Sequence, residues 1–403
     1  MRELVKKAIF GKKTTEYQKK IREMAEKKGI RLCSLQKLYI EIAKNNIKGF
    51  TVPAFNIRTL TFDAACALFR AAKKEKVGAF IFEIARTEIL YTAQSPEKYL
   101  ACVLGAAIKE NFKGPLFLQG DHFKISSSKY FSIKDKKKEL KDLENLIKKT
   151  IKAGFYNVDI DCSALLPKEN SYQTAKFTSF IRKIEPKKIN IAIGGEVGEI
   201  GGKNTSITEL KNFINNYQKE LKKYSPSLCP IIKIAVQAKT SHGGTLLGSG
   251  KFKPVKINFK TLAELSKEAK KNGTAGIVQH GASTLPEKYF GKFPKAKICE
   301  IHLATFLQNI IYDSDYFPQI LKKKIEQWLK ENYLKKKDEN DLQFFYRLRK
   351  NALGPFKKKI WDIPQKNINK ICEQLETKFI FFFQKLNVSD TKDLIKKLYK
   401  ISN

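Results

Sequence analysis

Short apolar runs separated by helical patterns recur along this chain, and they limit the folds open to it more than any other feature. Eight such runs lie at 49–57, 77–82, 115–119, 156–160, 189–193, 231–236, 275–278 and 298–303. Near-continuous apolar runs of this length are typical of strands buried on both faces in a parallel sheet. Eight alternations of strand and helix over roughly 270 residues predict the α/β class and, within it, a (β/α)8 TIM barrel.

Helical patterns flank the predicted barrel on both sides. We expect residues 1–48 to form an N-terminal helical segment, 49–316 a TIM-barrel catalytic domain, and 317–403 a C-terminal all-helical extension. The chain shows no internal repeat and no flexible Gly/Ser linker, so the extension is predicted to pack on the barrel. Its aromatic cluster around Trp361 and Phe379 is interpreted as core in preference to a ligand platform.

Composition narrows the classes of partner and compartment. The formal net charge of +38 raises the question of a nucleic-acid partner. The lysines, however, are spread along the chain beside acidic residues, which favours a solvated surface and makes nucleic acid a secondary alternative. Seven scattered cysteines without a C-x-x-C pair indicate neither disulfides nor a cysteine metal site. No apolar run is long enough for a membrane span or a secretory signal, so we expect a cytoplasmic protein.

Three of the four histidines lie in small-residue settings that suit a metal site. His122 follows Gly120-Asp121, His242 precedes two glycines, and His280 precedes Gly281. Their spacings match whole strand-plus-helix units, so all three are expected at the carboxyl ends of strands. Three imidazoles with one open position are typical of a catalytic zinc. The sequence therefore predicts a zinc site at the end of the barrel that carries the chemistry in this fold.

Two further features lie beside the predicted ligands. Asp121 precedes the first histidine and is placed to reach a substrate hydroxyl as a proton carrier. The glycine-rich segment 194–202 follows the fifth predicted strand and contains Glu196 and Glu199. It is either a loop that closes over substrate or a turn with solvated acids. Glycines after the late strands let backbone amides approach a phosphate, which indicates a small phosphorylated carbonyl substrate.

Together these motifs resemble those of the class II, zinc-dependent fructose-bisphosphate aldolases, in a divergent branch. The motifs occur in the family's order over about residues 49–312. They are Val52-Pro53-Ala54-Phe55-Asn56, Gly120-Asp121-His122, Ile160-Asp161-Cys162-Ser163, Glu196-Val197-Gly198 through Gly202, Ser241-His242-Gly243, Gln279-His280-Gly281-Ala282-Ser283 and His302-Leu303-Ala304-Thr305.

The resemblance implies reversible cleavage of fructose 1,6-bisphosphate to dihydroxyacetone phosphate and glyceraldehyde 3-phosphate, a step of glycolysis and gluconeogenesis. It implies one catalytic zinc ion held by His122, His242 and His280, with Glu196 near the metal as an alternative ligand. It also implies that Asp121 carries the proton of the C4 hydroxyl. Members of the family usually form homodimers or larger assemblies.

The resemblance further implies a site for the dihydroxyacetone phosphate end of the substrate. Gly243, Gly281, Ser283 and Thr305 would hold the phosphate, in this family often with a monovalent cation. Asn56 would contact the same half of the substrate. Together with the metal ligands these residues predict one continuous site that runs across the end of the barrel.

The chain departs from the family's pattern at two places. Lys203-Asn204 stands where the family has its glutamate for the C3 proton, and Glu199 is the candidate replacement. His302 corresponds to a family asparagine, and is otherwise interpreted as a hydrogen-bonded core residue. These departures leave open tagatose 1,6-bisphosphate or another ketose phosphate as the substrate. An alternative of another class is a non-catalytic barrel that binds sugar phosphate or RNA.

Overall fold

Parallel strands form the centre of the molecule. The computed structural model describes residues 1–198, 202–238, 244–253, 255 and 257–400. The strands are β1 (Ile30–Cys33), β2 (Val52–Asn56), β3 (Ile81–Ala85), β4 (Gly114–Lys124), β5 (Asn157–Asp161), β6 (Ala192–Val197), β7 (Lys233–Val236), β8 (Ile277–Gln279) and β9 (Glu300–Leu303). Strands β2 to β9 pair in sequence order, and β9 pairs with β2. Every pairing is parallel, and the eight strands close into a TIM barrel.

Helices surround the barrel and continue beyond it. They are α1 (Arg2–Phe10), α2 (Thr14–Lys27), α3 (Gln36–Ala43), α4 (Thr61–Lys74), α5 (Arg86–Tyr91), α6 (Pro96–Lys109), α7 (Ser127–Tyr130), α8 (Lys136–Ala153), α9 (Pro167–Ile184), α10 (Ile207–Tyr224), α11 (Phe259–Lys271), α12 (Lys292–Lys295), α13 (Thr305–Asp313), α14 (Gln319–Asn332), α15 (Asp341–Leu348), α16 (Lys357–Trp361), α17 (Gln365–Lys385) and α18 (Lys392–Leu398). Short 3₁₀ turns lie at Ala282–Thr284, Glu287–Tyr289 and Arg349–Ala352. Across the described ranges, no helix combines the length and apolarity needed to cross a membrane.

The predicted barrel is confirmed, and each of the eight apolar runs overlaps one barrel strand. Several strands continue past the end of their run. Strand β3 extends to Ala85 and includes Glu83, and β6 extends to Val197 and includes Glu196. Both carboxylates are buried. An apolar pattern ends at charged residues such as these. It therefore does not predict that the strand continues with polar side chains buried at the end of the barrel.

Residues 1–48, which we expected to form a helical segment, also contain the short strand β1. This short strand lies parallel to β4, opposite Gly114–Phe117, whereas β5 begins only opposite Gln119. The chain after β1 is held by side chains: the Asn157 carboxamide accepts from the amide of Leu35 at 2.8 Å. Four residues with a single buried position carry too little pattern to be recognised as a strand from the sequence.

The C-terminal helices pack on the barrel and share its core. Phe379 and Phe383 of α17 contact Phe55 of β2 edge to face at centroid distances of 5.0 and 5.8 Å. Phe382 meets Phe306 of α13 at 4.7 Å. Such aromatic contacts add to the stabilisation that comes from burial. The extension is therefore helical and packed on the barrel, as predicted, and its aromatic cluster is core.

Candidate active site

A cavity of about 750 Å³ opens at the carboxyl ends of the barrel strands. Its inner wall is made of polar side chains from successive strand ends, namely Asn56, Glu83, Asp121, His122, Asp161, Glu196, His280 and His302. The sequence predicts function at this end of the barrel, and most of the residues that it singles out meet here. Glu199, His242 and Gly243 lie outside the described residues, so their predicted roles stay predictions.

A bulge in β4 directs His122 into the cavity. The pairing of β4 with β5 shifts register between Gly120 and Phe123, and His122 has a left-handed φ of +42°. Gly120 is required at the bulge, because a Cβ atom there would lie 2.4 Å from the Phe123 ring. Bulges of this kind re-aim side chains near functional sites.

Two predicted metal ligands and the predicted proton carrier converge in the cavity. One donor atom from each of Asp121, His122 and His280 lies within 4.8 Å of the others. The two imidazole rings are 4.1 Å apart at their centroids. Imidazole nitrogens with carboxylate oxygens are the donors that zinc and similar ions prefer, so the chemistry of this set fits the implied metal.

Two carboxylates orient His122 from behind. Its Nδ1 donates to Asp161 at 3.1 Å and lies 3.0 Å from Glu196, so Nε2 is the nitrogen suited to a metal. Burial alone would raise the pKa of Asp161, but the hydrogen bond from His122 lowers it to about 2. Burial and the neighbouring Asp161 raise the pKa of Glu196 to about 7. Asp161 belongs to the motif Ile160-Asp161-Cys162-Ser163, but the sequence did not predict that it contacts His122. Only the pairing of β4 with β5 places the two residues side by side.

Asp121 is ionised in its buried position. Burial would raise the pKa of its carboxyl group, but the charges of His122 and His302 outweigh burial and hold that pKa well below the usual range. Nδ1 of His302 lies 3.1 Å from Asp121 Oδ1. An ionised carboxylate at the cavity wall is suited to accept a proton from a substrate hydroxyl.

Three of the predicted phosphate residues, Gly281, Ser283 and Thr305, also line the cavity. Gly281 has a left-handed φ of +67° and begins the turn that presents Ser283. The Ser283 hydroxyl accepts from the backbone amides of Ala304 and Thr305 at 2.8 and 3.1 Å, which joins the turn to the start of α13. Gly244 lines the same wall. Glycine turns beside a helix N-terminus suit a phosphate group.

Asn56 lies at the end of β2 and is 2% exposed. Its amide donates to Glu88 at 2.5 Å, and Glu88 also pairs with Arg58 at 2.7 Å. Among the described residues, the Asn56 carbonyl oxygen has no hydrogen-bond partner, although it is buried. It is therefore placed to accept a hydrogen bond from a bound hydroxyl group.

A polar network fills the barrel beneath the cavity, and the apolar pattern of the strands does not predict it. Lys233 of β7 is fully buried and donates to Gln119, Asp159 and Glu300 at 2.7, 3.0 and 2.5 Å. The Tyr39 hydroxyl also donates to Glu300. Burial raises the pKa of Asp159 to about 6, whereas Lys233 overcomes the effect of burial at Glu300 and lowers its pKa to about 2. The one sign of this network in the sequence is Lys233, a single charged residue in an otherwise apolar strand.

His302 joins this network to the site. It is 4% exposed, and its Nε2 lies 2.6 Å from Glu300. The interpretation of His302 as a hydrogen-bonded core residue is confirmed. It also lines the cavity, and its ring centroid lies 4.1 Å from that of His280.

The C-terminal extension forms the outer wall of the cavity. Lys336 and Lys337 from the α14–α15 connection, and Arg347 and Lys350 from α15 and the turn after it, contribute four cationic side chains to the lining. Arg347 is held by two hydrogen bonds of 2.6 Å to Glu339. The same part of the lining contains Asp338 and Glu339, so the extension adds four cationic and two acidic side chains to the cavity.

The extension also holds the segment that follows β7. The Asn340 side chain donates to the carbonyl of Gly248 at 3.1 Å, and that of Gln343 donates to the carbonyl of Leu246 at 3.0 Å. Residues 244–253 continue directly from the segment that carries His242 and Gly243. Helix α15 is thus a neighbour of the site that only the tertiary structure brings there.

This chain matches one protein family and is similar to several solved structures. The family model of class-II fructose-bisphosphate aldolase matches residues 37–360, which includes part of the extension. The structure is similar to those of the YdjI aldolase from Escherichia coli K12, at 12% identity and a TM-score of 0.52, covering 89% of this chain and 98% of that one. It is also similar to fructose-bisphosphate aldolase from Campylobacter jejuni, at 18% identity and a TM-score of 0.53, covering 90% of this chain and 97% of that one. A third similar structure is a probable tagatose 6 phosphate kinase from Sinorhizobium meliloti 1021, at 14% identity and a TM-score of 0.62, covering 87% of this chain and 99% of that one. At these identities the similarity concerns the fold.

Proposed function

The chain belongs to the family of class-II fructose-bisphosphate aldolases and is therefore a carbon–carbon lyase. From that premise we propose that it catalyses the zinc-dependent, reversible cleavage of fructose 1,6-bisphosphate to dihydroxyacetone phosphate and glyceraldehyde 3-phosphate. The observation that carries the proposal is the convergence of Asp121, His122 and His280 in a cavity that has a phosphate-binding turn on its wall.

We assign the zinc ion to His122, His242 and His280, with Glu196 as an alternative ligand. Zinc bound there supplies a Lewis acid for the substrate carbonyl oxygen. The hydrogen bond between His122 and Asp161 supports the assignment, because metal-bound histidines almost always donate their other nitrogen to a carboxylate or carbonyl.

The proton transfers fall to carboxylates of the chain. The ionised Asp121 takes the proton of the C4 hydroxyl, the C3–C4 bond breaks, and its electron pair remains with C3. The aldehyde leaves, and C3 of the remaining three-carbon unit then receives a proton. We assign this second proton to Glu199. The low pKa of Asp121 supports its role, since it must begin the cleavage step unprotonated.

Two regions of the cavity would hold the two phosphates of the substrate: the glycine turns, through their backbone amides, and the lysines of the C-terminal extension. Gly243, Gly281, Ser283 and Thr305 hold the dihydroxyacetone phosphate end, accompanied by a monovalent cation, and Asn56 accepts from a hydroxyl group of the same half. The lysines of the outer wall face the other phosphate. A cavity of about 750 Å³ has room for a six-carbon bisphosphate.

We further propose that the enzyme serves glycolysis in the cytoplasm as a homodimer or larger homo-oligomer, with a sugar phosphate as its substrate. All seven cysteines are free thiols, which fits a reducing compartment. The positive surface is interpreted as an aid to the approach of a phosphorylated substrate, which requires no nucleic-acid partner.

A coupled assay tests the proposed function. Cleavage of fructose 1,6-bisphosphate is compared with that of tagatose 1,6-bisphosphate, for protein treated with chelator and for protein reloaded with zinc. We expect activity that disappears with chelator and returns with zinc. Asp121→Asn should keep the zinc of the histidine site and lose turnover by about two orders of magnitude or more. Activity with tagatose 1,6-bisphosphate alone would change the substrate, and inactivity of folded, zinc-loaded protein with both sugars would refute the proposal.

A further inference from the structure

Three side chains on the inner wall of the cavity form a second donor cluster beside the proposed zinc site. Glu83 comes from β3, Asp121 from β4 and His302 from β9, and one donor atom of each lies within 4.8 Å of the others. Nδ1 of His302 is 3.1 Å from Glu83 Oε2 and 3.1 Å from Asp121 Oδ1. The residues are 0%, 4% and 4% exposed, so the cluster is buried.

Each of the three side chains has one atom that lacks the hydrogen bonds that buried polar atoms normally make. Within the described part of the chain, Glu83 Oε1, Asp121 Oδ1 and His302 Nδ1 have no hydrogen-bond partner. The other Glu83 oxygen, Oε2, is the one 3.1 Å from His302, and it accepts from the Gln119 amide at 3.2 Å. The short distances from Nδ1 to the two carboxylates are therefore not directed hydrogen bonds. Buried donors and acceptors are satisfied in the great majority of cases, so three such atoms in one place indicate a missing common partner.

The spacing suits a metal ion as that partner. Two ligand atoms that each lie about 2.1 Å from one ion are about 3.0 Å apart in octahedral geometry and about 3.4 Å apart in tetrahedral geometry. The two measured separations of 3.1 Å fall in this interval. One imidazole with two carboxylates is a donor set suited to first-row ions such as Mn²⁺ and Zn²⁺.

The charge of the network favours a cation at the same point. Four carboxylates, those of Glu83, Asp121, Asp159 and Glu300, lie around Lys233 and His302. These four carboxyl groups outnumber the two cationic side chains, Lys233 and His302. Buried charges without a counter-charge are costly, and a divalent cation would restore the balance.

We propose that Glu83, Asp121 and His302 bind a second divalent cation, so that the cavity holds one metal ion at the histidines and another at this cluster. One oxygen of the Asp121 carboxylate binds the second ion, and the other stays available to the substrate. The second ion thereby keeps Asp121 in the orientation that the cleavage step requires. The inference rests on the proposed function only for this role of Asp121, since the number of bound ions is independent of the reaction.

Metal content measures the second site directly. Protein stripped with chelator is reloaded with zinc alone or with manganese alone, freed of unbound ions, and analysed by inductively coupled plasma mass spectrometry. We expect about two zinc ions per chain in the wild type and about one in Glu83→Gln. The matched control is Glu88→Gln, a buried carboxylate of the same cavity outside the cluster, which should keep both ions. One ion per chain in the wild type with either metal, or an unchanged count in Glu83→Gln, would overturn the inference.

Further measurements keep the test decisive. His302→Gln should also lose one ion, and thermal unfolding shows that both variants are folded. Anomalous difference maps of zinc-loaded wild-type crystals should show two peaks, and a single peak at the histidines would overturn the second site. His280→Ala distinguishes the two proposals: if it loses no zinc, the proposed catalytic site fails, whereas the loss of one ion in Glu83→Gln supports the second site independently.

Discussion

Replacement of Lys233 by methionine tests whether the charge balance inside the barrel stabilises the fold. Methionine retains most of the length of the buried stem but removes the ammonium group. Asp159 and Glu300 then lose the cation that lies 3.0 and 2.5 Å from them. Removal of one partner from a buried ion pair costs about 3–5 kcal/mol, because an uncompensated charge remains in a medium of low polarity.

The pKa of Glu300 gives an upper limit of similar size. Burial would raise this pKa, yet Lys233, helped by His302, lowers it from 4.5 to about 2. At about 1.4 kcal/mol per pH unit, this difference corresponds to about 3 kcal/mol of stabilisation. Because the pKa is lower in the folded state, the contribution is complete above the unfolded value of 4.5 and is lost as the pH falls towards 2. In Lys233→Met, Glu300 lacks this contribution, so the difference in stability should be largest near neutral pH and smaller in acid.

Urea unfolding monitored by circular dichroism measures the effect at pH 7 and at pH 5 and below. We expect Lys233→Met to lose about 3–5 kcal/mol of unfolding free energy at pH 7. The matched control is Lys141→Met, an exposed lysine whose pair with Glu144 spans 3.5 Å, with an expected loss below about 1 kcal/mol. A loss below about 1 kcal/mol for Lys233→Met, or a loss that grows as the pH falls, would refute the reasoning.

Three further predictions follow from the site and its supports. Ser283→Ala should raise the KM for the bisphosphate roughly tenfold, because the turn loses its hydrogen bonds to the start of α13; steady-state kinetics measure this, and an unchanged KM would contradict it. The double variant Asn340→Ala, Gln343→Ala should weaken zinc binding roughly tenfold, because two hydrogen bonds to the segment after β7 are lost; competition with a chelator measures it, and equal affinity would count against the docking role of α15. Gly154→Ala should lower stability by about 2–3 kcal/mol, because its φ is +111° and a Cβ would lie 2.4 Å from a leucine side chain. Gly29→Ala, at a φ of +75° in open space, should lose only about 1 kcal/mol; thermal unfolding measures both variants, and equal losses would contradict the steric argument.

The fold was largely predictable because its signals are local. A strand buried on both faces needs an apolar run, and a packed helix needs an apolar stripe, so both appear in short windows of sequence. The barrel followed from counting these windows. Strand β1 and the polar ends of β3 and β6 were not predictable in this way, because their pairing partners lie far away in the chain.

The candidate site was predictable to the extent that its residues carry distinctive motifs. His122 and His280 stood out because the chain has few histidines, and the structure brings both to Asp121. Glu83 and Lys233 did not stand out, since one charged residue in an apolar strand does not reveal its counter-charge. Asp161 was noticed as part of a motif, but its hydrogen bond to His122 depends on the bulge in β4.

By itself, then, the sequence determined the order of strands and helices, the barrel class, the helical extension and the side chains able to bind a metal or carry a proton. The tertiary structure decided which of those side chains meet, that the barrel floor is an ionic network, and that α15 completes the cavity wall. The physical reason is the range of the interactions. Periodicity and turn chemistry act between neighbours in the chain, whereas ion pairs and metal ligands are chosen by distance in space across strands that are far apart in sequence.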